Sequence, residues 1–109
     1  MGASRDSEEI KNMPLAYVIA IVDIKDPARY QSYREMVLPT ITAYGGRFIA
    51  RGGRTEVLEG AWAPRRVVIV EFPSLERAKE WWASPEYEEA KALRQATSEG
   101  TLIVVEGLE

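Results

Sequence analysis

An α+β fold built on one four-stranded antiparallel sheet is what this 109-residue sequence predicts. Three observations carry the prediction. Four β-branched, apolar segments read as strands, and between them lie two stretches whose apolar residues recur at helical spacing. Each helical stretch carries a cap-and-proline pair, Asp26-Pro27 in the first and Ser84-Pro85 in the second. The resulting order, strand-helix-strand-strand-helix-strand, is the split βαβ or ferredoxin-like pattern, with both helices on one face of the sheet.

Leu15 to Ile24 forms the first predicted strand, and Lys25-Asp26-Pro27 stops it and starts a helix. Tyr30, Tyr33, Val37, Ile41 and Tyr44 mark one face of that helix; Pro39 should kink or divide it, and Gly45-Gly46 ends it. Arg47 to Arg51 is the second strand, with a bulge or bend expected at Gly52-Gly53 and extended chain from Arg54 to Leu58. After a turn region from Gly60 to Pro64, Val67 to Phe72 is the clearest buried strand. Pro73-Ser74 caps a helix carrying Leu75, Ala78, Trp81 and Trp82, which is stepped at Ser84-Pro85 and resumes through Tyr87, Ala90, Leu93 and Thr97. Gly100 is expected to close it before a last strand, Thr101 to Val105. Residues 1–12 are polar and acidic without periodicity, which predicts a disordered tail before a single domain over 13–109; Met13-Pro14 is a second candidate for the natural start.

Composition removes many function classes. The chain has no cysteine and no histidine, so disulfides, zinc-thiolate sites, thiol nucleophiles and Ser-His-Asp catalysis are excluded by inventory. Neither a metal nor another cofactor is expected. Fourteen basic against seventeen acidic residues give a net charge of −3, the wrong sign for a protein whose affinity comes from neutralising nucleic-acid phosphates. The longest apolar run, Met13 to Val22, is about half a membrane span and contains Pro14. No signal peptide is evident, and the expected setting is cytoplasmic, away from membranes.

The strands also predict a partner. A sheet covered by helices on one side normally alternates apolar and polar residues. Here Val18, Ala20 and Val22 point one way while Tyr17, Ile19 and Ile21 point the other. Val67 and Ile69 oppose Val68, Val70 and Phe72, and Leu102 and Val104 oppose Ile103 and Val105. Two helices cannot cover both faces. Each buried large aliphatic side chain contributes ~1.5–3 kcal/mol, so an exposed face forgoes roughly ten kcal/mol or more, comparable with the ~5–15 kcal/mol of a whole domain. A second copy, packed sheet to sheet around a two-fold axis, is the simplest cover.

The string Tyr44-Gly45-Gly46-Arg47-Phe48-Ile49-Ala50-Arg51-Gly52-Gly53, followed by Leu58-Glu59-Gly60, resembles the family known as domain of unknown function 1330. Val70-Glu71-Phe72-Pro73-Ser74, Trp81-Trp82, Ser84-Pro85-Glu86-Tyr87, Leu93-Arg94 and Val105-Glu106-Gly107 match its second half, so the likeness runs over about residues 14–108. The resemblance implies the dimeric α+β barrel superfamily, which includes cofactor-independent monooxygenases, isomerases, cyclases and haem enzymes. It supplies a fold, a homodimer and a cleft between sheet and helices, but no reaction.

Against that background Glu71 is the catalytic candidate, a carboxylate at the end of an apolar strand where burial or a nearby arginine would tune it for proton transfer. Its plainer role is a strand-end carboxylate paired with an arginine. Arg51 and Arg94 are candidates to hold a carboxylate or phosphate, since guanidinium forks bind such groups bidentately; the alternative is ion pairing with Glu71, Glu106 or surface acids. Tyr87 offers a hydroxyl to orient a ligand, or a core ring with a wet tip. Trp82, with Trp62 and Trp81, is placed either to stack on an aromatic ligand or to pack. Arginines 47, 51, 54, 65 and 66 form a basic stretch that Glu56 and Glu59 interrupt, which reads as a solvated surface. The function expected is a homodimer binding a small organic, acidic ligand, with cofactor-independent activity of oxygenase, isomerase or cyclase type. The alternative is a non-catalytic dimeric binding or assembly module.

Overall fold

The structure is a computed structural model that describes residues 13–109. The predicted N-terminal tail lies outside the described residues. The chain runs β1 (Ala16–Ile24), α1 (Pro27–Ala43), β2 (Arg47–Arg51), β3 (Arg66–Phe72), α2 (Leu75–Trp82), α3 (Pro85–Thr97) and β4 (Ser98–Glu106). The strands form one antiparallel sheet in the order β2-β3-β1-β4, so the fold class is the α+β arrangement the sequence predicts. No described helix is long and apolar enough to cross a membrane.

The helices begin where the caps stand. Asp26 accepts a hydrogen bond from the Arg29 N–H at 3.2 Å, Ser74 from Arg77 at 3.1 Å and Ser84 from Tyr87 at 3.2 Å. The step between α2 and α3 falls at Ser84-Pro85 as the sequence indicates. Pro39 does not divide α1, which continues to Ala43. Its ring lies on the exposed side, where the carbonyl deprived of an N–H partner faces water, so the helix absorbs the loss.

Two local expectations are corrected, the place of the β2 bulge and the role of Gly100. The bulge in β2 lies between Phe48 and Ala50, while the Gly52-Gly53 pair supplies a bend, at Gly52. Gly52 ends the strand at φ +70°, and a Cβ there would run into the Arg66 guanidinium. Residues Arg54 to Leu58 pair with no strand of the sheet. Gly100 does not close α3: the helix passes at Thr97 directly into β4, and Gly100 pairs with Val22 inside the sheet, where a Cβ would strike the Ile21 carbonyl. The Thr97 carbonyl accepts the Lys25 and Asp26 N–H groups at 2.8 and 3.0 Å, which ties the end of the second half to the first turn of the first.

The core lies between the helices and one sheet face. Val18, Ala20, Val22, Val70 and Phe72 meet Tyr30, Tyr33, Val37 and Ile41 of α1 and Ala78, Trp81, Tyr87 and Ala90 of α2 and α3, all buried. Trp81 stacks on Tyr87 with centroids 4.1 Å apart and donates its indole N–H to Thr40 at 3.0 Å. On the opposite face Ile19 is in register with Ile69 on β3 and Ile103 on β4, and Ile21 with Val67. Ile49, Ile103 and Val105 on this side are about half exposed. The two-sided apolar pattern is therefore real, and the described residues cover only one side of it.

Candidate functional site

The helix-facing side of the sheet ends in a group of arginines and tyrosines. Arg51 closes β2 and Arg66 opens β3, both on the side facing α1 because Arg51 pairs with Val68, and Arg66 shares the parity of Val68 and Val70. Helix α1 contributes Tyr30, Tyr33 and Arg34, and α3 contributes Tyr87 and, two turns later, Arg94. With Phe48, Val37 and Val68, all of these except Tyr87 line a cavity of about 30 Å³, and Tyr87 stands behind Tyr33 and Arg94. On a scale where one water needs roughly 10–15 Å³, the space suits a compact polar group.

Guanidinium donors dominate its polar network. Arg94 donates from Nε to the Tyr87 hydroxyl at 3.2 Å, and the Tyr87 and Tyr33 hydroxyls lie 3.1 Å apart. Arg51 donates to the Arg34 carbonyl at 2.7 Å and stacks over the Phe48 ring at 4.1 Å. Arg66 lies 5.8 Å from the Tyr30 ring centroid, and its Nε is buried without a hydrogen-bond partner among the described residues. Elsewhere the basic residues find acids: Lys25 and Arg65 with Asp23, Arg29 with Asp26, Arg47 with Glu71, Arg77 with Glu80. Among the described residues no carboxylate pairs with Arg34, Arg51, Arg66 or Arg94.

Titration follows this geometry. Burial, and then the neighbouring Arg34 and Arg66 charges, hold the Arg51 guanidinium below its ordinary range. Burial first, then the adjacent Tyr87, pushes the Tyr33 hydroxyl far above the usual tyrosine range, against a smaller opposing effect of Arg94. Folded Tyr33 thus keeps its proton where the unfolded chain would lose it. Its contribution to stability is intact below about pH 10 and is lost as the pH rises above that value. Tyr33→Phe is expected to cost about 1 kcal/mol at neutral pH through the lost hydrogen bond and to make the alkaline fall in stability shallower. Urea denaturation at pH 7 and above pH 10 measures both, and an unchanged alkaline slope would refute the assignment.

The residues singled out from the sequence separate into three places. Arg51 and Arg94 line the cleft, with the buried Tyr87 ring delivering its hydroxyl to Arg94 behind it. Neither arginine takes the ion pairs considered for it. Glu71 stands across the sheet on the uncovered face, 16% exposed and paired with Arg47, its cross-strand neighbour, at 2.8 Å. Trp82 is 44% exposed, under the Lys91 ammonium at 3.9 Å. It shares with Arg94 an open groove between α3 and β4, and lines a separate apolar cleft of about 370 Å³ beside Val18, Trp81, Leu102 and Val104. Arg34, Arg66 and Tyr33 belong to the cluster although the sequence reading did not select them.

Comparison with known proteins completes the description. The model of the domain of unknown function DUF1330 matches residues 15–108. The chain belongs to that family. No curated protein matches it. Among solved structures, it resembles the RPA0582 protein of unknown function from Rhodopseudomonas palustris at 21% identity, over 96% of this chain and 93% of that one, with a TM-score of 0.73. SnoaB, a cofactor-independent oxygenase from Streptomyces nogalater, is similar at 10% identity over 88% of this chain and 95% of its own, TM-score 0.61. A hypothetical protein of Arabidopsis thaliana is similar at 15% identity over 89% and 88%, TM-score 0.61. At these identities the likeness shows a shared fold.

Proposed function

We propose that this DUF1330 protein is a homodimer, closed through the uncovered sheet face, whose protomers each bind a small organic acid in the cleft between sheet and helices. The observation that carries the binding half is the cleft's imbalance: four guanidinium groups and two tyrosine hydroxyls converge with no carboxylate partner among the described residues. Charges so placed repel one another unless an anion joins them. Arg51 and Arg94 hold the acid group, Tyr87 fixes the Arg94 fork, and the organic part leaves by the mouth of the cavity. The dimer half is supported by the Ile69-Ile19-Ile103 row and its half-exposed neighbours.

Binding without catalysis is the version the residues favour. Glu71, the one acid/base candidate, lies on the dimer face in this reading, and its ion pair with Arg47 serves the rim of the interface. The fold shared with a cofactor-independent oxygenase supports an enzyme only by analogy. Thermal melts with benzoate test the binding: the wild-type melting temperature is expected to rise with concentration, and that of Arg94→Gln to stay flat. An equal rise in the variant would place the ligand elsewhere.

A further inference from the structure

The cleft carries more positive charge and more donors than a monocarboxylate can use. Resting on the reading of the cleft as an acid site, we propose that its preferred occupant is a compact, doubly charged oxyanion of the phosphate type.

Three features converge on this class. First, the lining is dominated by charged donors: four guanidinium groups reach it, while the Arg34 carbonyl and the Tyr87 hydroxyl already accept from Arg51 and Arg94. The paired Tyr33 and Tyr87 hydroxyls hold two protons, and their mutual bond uses one, so the other remains for a ligand oxygen. A ligand rich in anionic oxygens matches these guanidinium donors better than one rich in N–H groups. Second, the buried Arg66 Nε has no partner among the described residues, a cost that an acceptor brought beside it would remove. The Arg34 and Arg66 charges both bear on Arg51, and Arg94 reaches the same cavity from α3. One negative charge leaves three of the four positive charges uncompensated, whereas a phosphoryl group brings close to two and presents three strong acceptor oxygens. Third, the cavity of about 30 Å³ is narrow, which favours a compact head group seated at its mouth over a ring or a chain inside it.

The cluster is also framed for this role by backbone. Gly52 sits at φ +70° against the Arg66 guanidinium, where any side chain would displace it. The residue ending β2 and the residue opening β3 thereby reach the same cavity from neighbouring strands.

Calorimetric titration of the full-length protein with inorganic phosphate, malonate and acetate, at matched ionic strength, tests the proposal. Phosphate is expected to bind about tenfold or more tightly than acetate, and Arg66→Gln to weaken phosphate about tenfold while changing acetate far less. Malonate binding as phosphate does extends the site to dicarboxylates; phosphate binding alone narrows it to phosphoryl groups. Both outcomes uphold the doubly charged occupant. Acetate equal to phosphate would overturn it while leaving the acid site standing. No binding of any of the three would overturn the acid site as well. Arg34→Gln, with its side chain on the outer turn of α1, repeats the comparison should Arg66→Gln fail to fold.

Discussion

Ile19→Glu is expected to turn a dimer into a folded monomer. Ile19 sits in the middle of β1, in register with Ile69 on one side and Ile103 on the other, at the centre of the uncovered face. In a two-fold sheet-to-sheet dimer each copy would bury a carboxylate with no partner, at several kcal/mol per charge. The dissociation constant should therefore rise by roughly a thousandfold or more. The isolated chain loses only cross-strand packing of about 0.2–1 kcal/mol per pair, because Ile19 faces away from its own core. Sedimentation equilibrium with circular dichroism separates the two effects. A folded variant that stays dimeric would move the interface away from this face, and a monomeric wild type would remove the dimer altogether.

Replacing Arg51 with methionine should separate stability from binding. The Arg51 charge is disfavoured in the fold by burial and by Arg34 and Arg66. The methionine retains the apolar contact over Phe48, so the ligand-free Arg51→Met protein is expected to melt at or slightly above the wild-type temperature, solvent screening and the lost bond to the Arg34 carbonyl keeping the gain small. Its response to added anion should be lost, because one arm of the fork is gone. Keeping or raising stability while abolishing the ligand response marks a site held in tension for function. A variant that melts lower and still responds to anion would instead make Arg51 a structural brace for the Arg34 carbonyl.

Much of this architecture was legible because local signals agreed with the global fold. Ser74, Ser84 and Asp26 cap helices where their spacing to the following apolar residues required it. The two-faced strands announced an uncovered sheet surface, since side chains alternate strictly along a strand. Gly100 misled because a glycine after a helical stretch ordinarily ends the helix. Here it serves a backbone approach between strands that only the sheet register reveals. Pro39 misled because its cost depends on exposure, which the helix phase alone does not give.

The site was legible in part. Arg51, Arg94 and Tyr87 share a neighbourhood, whereas Glu71 and Trp82 lie outside it. Glu71 alternates with Val70 and Phe72, so the two-residue period already assigns it to the face opposite the core. The same parity puts Arg66 with Val68 and Val70, facing the helices, although its position in a basic stretch suggested solvent. Tyr33 was recognisable as a core residue, but the meeting of its hydroxyl with that of Tyr87 spans 54 residues and arises only from the packing of α1 against α3.

The most direct measurement of the central claim is a crystal structure of the protein grown with phosphate. An anion within hydrogen-bond distance of Arg51, Arg66 and Arg94, inside the cleft of each protomer of a sheet-to-sheet dimer, is the predicted result. A cleft whose arginines pair with carboxylates of the protein itself, leaving phosphate only on the outer surface, would contradict it.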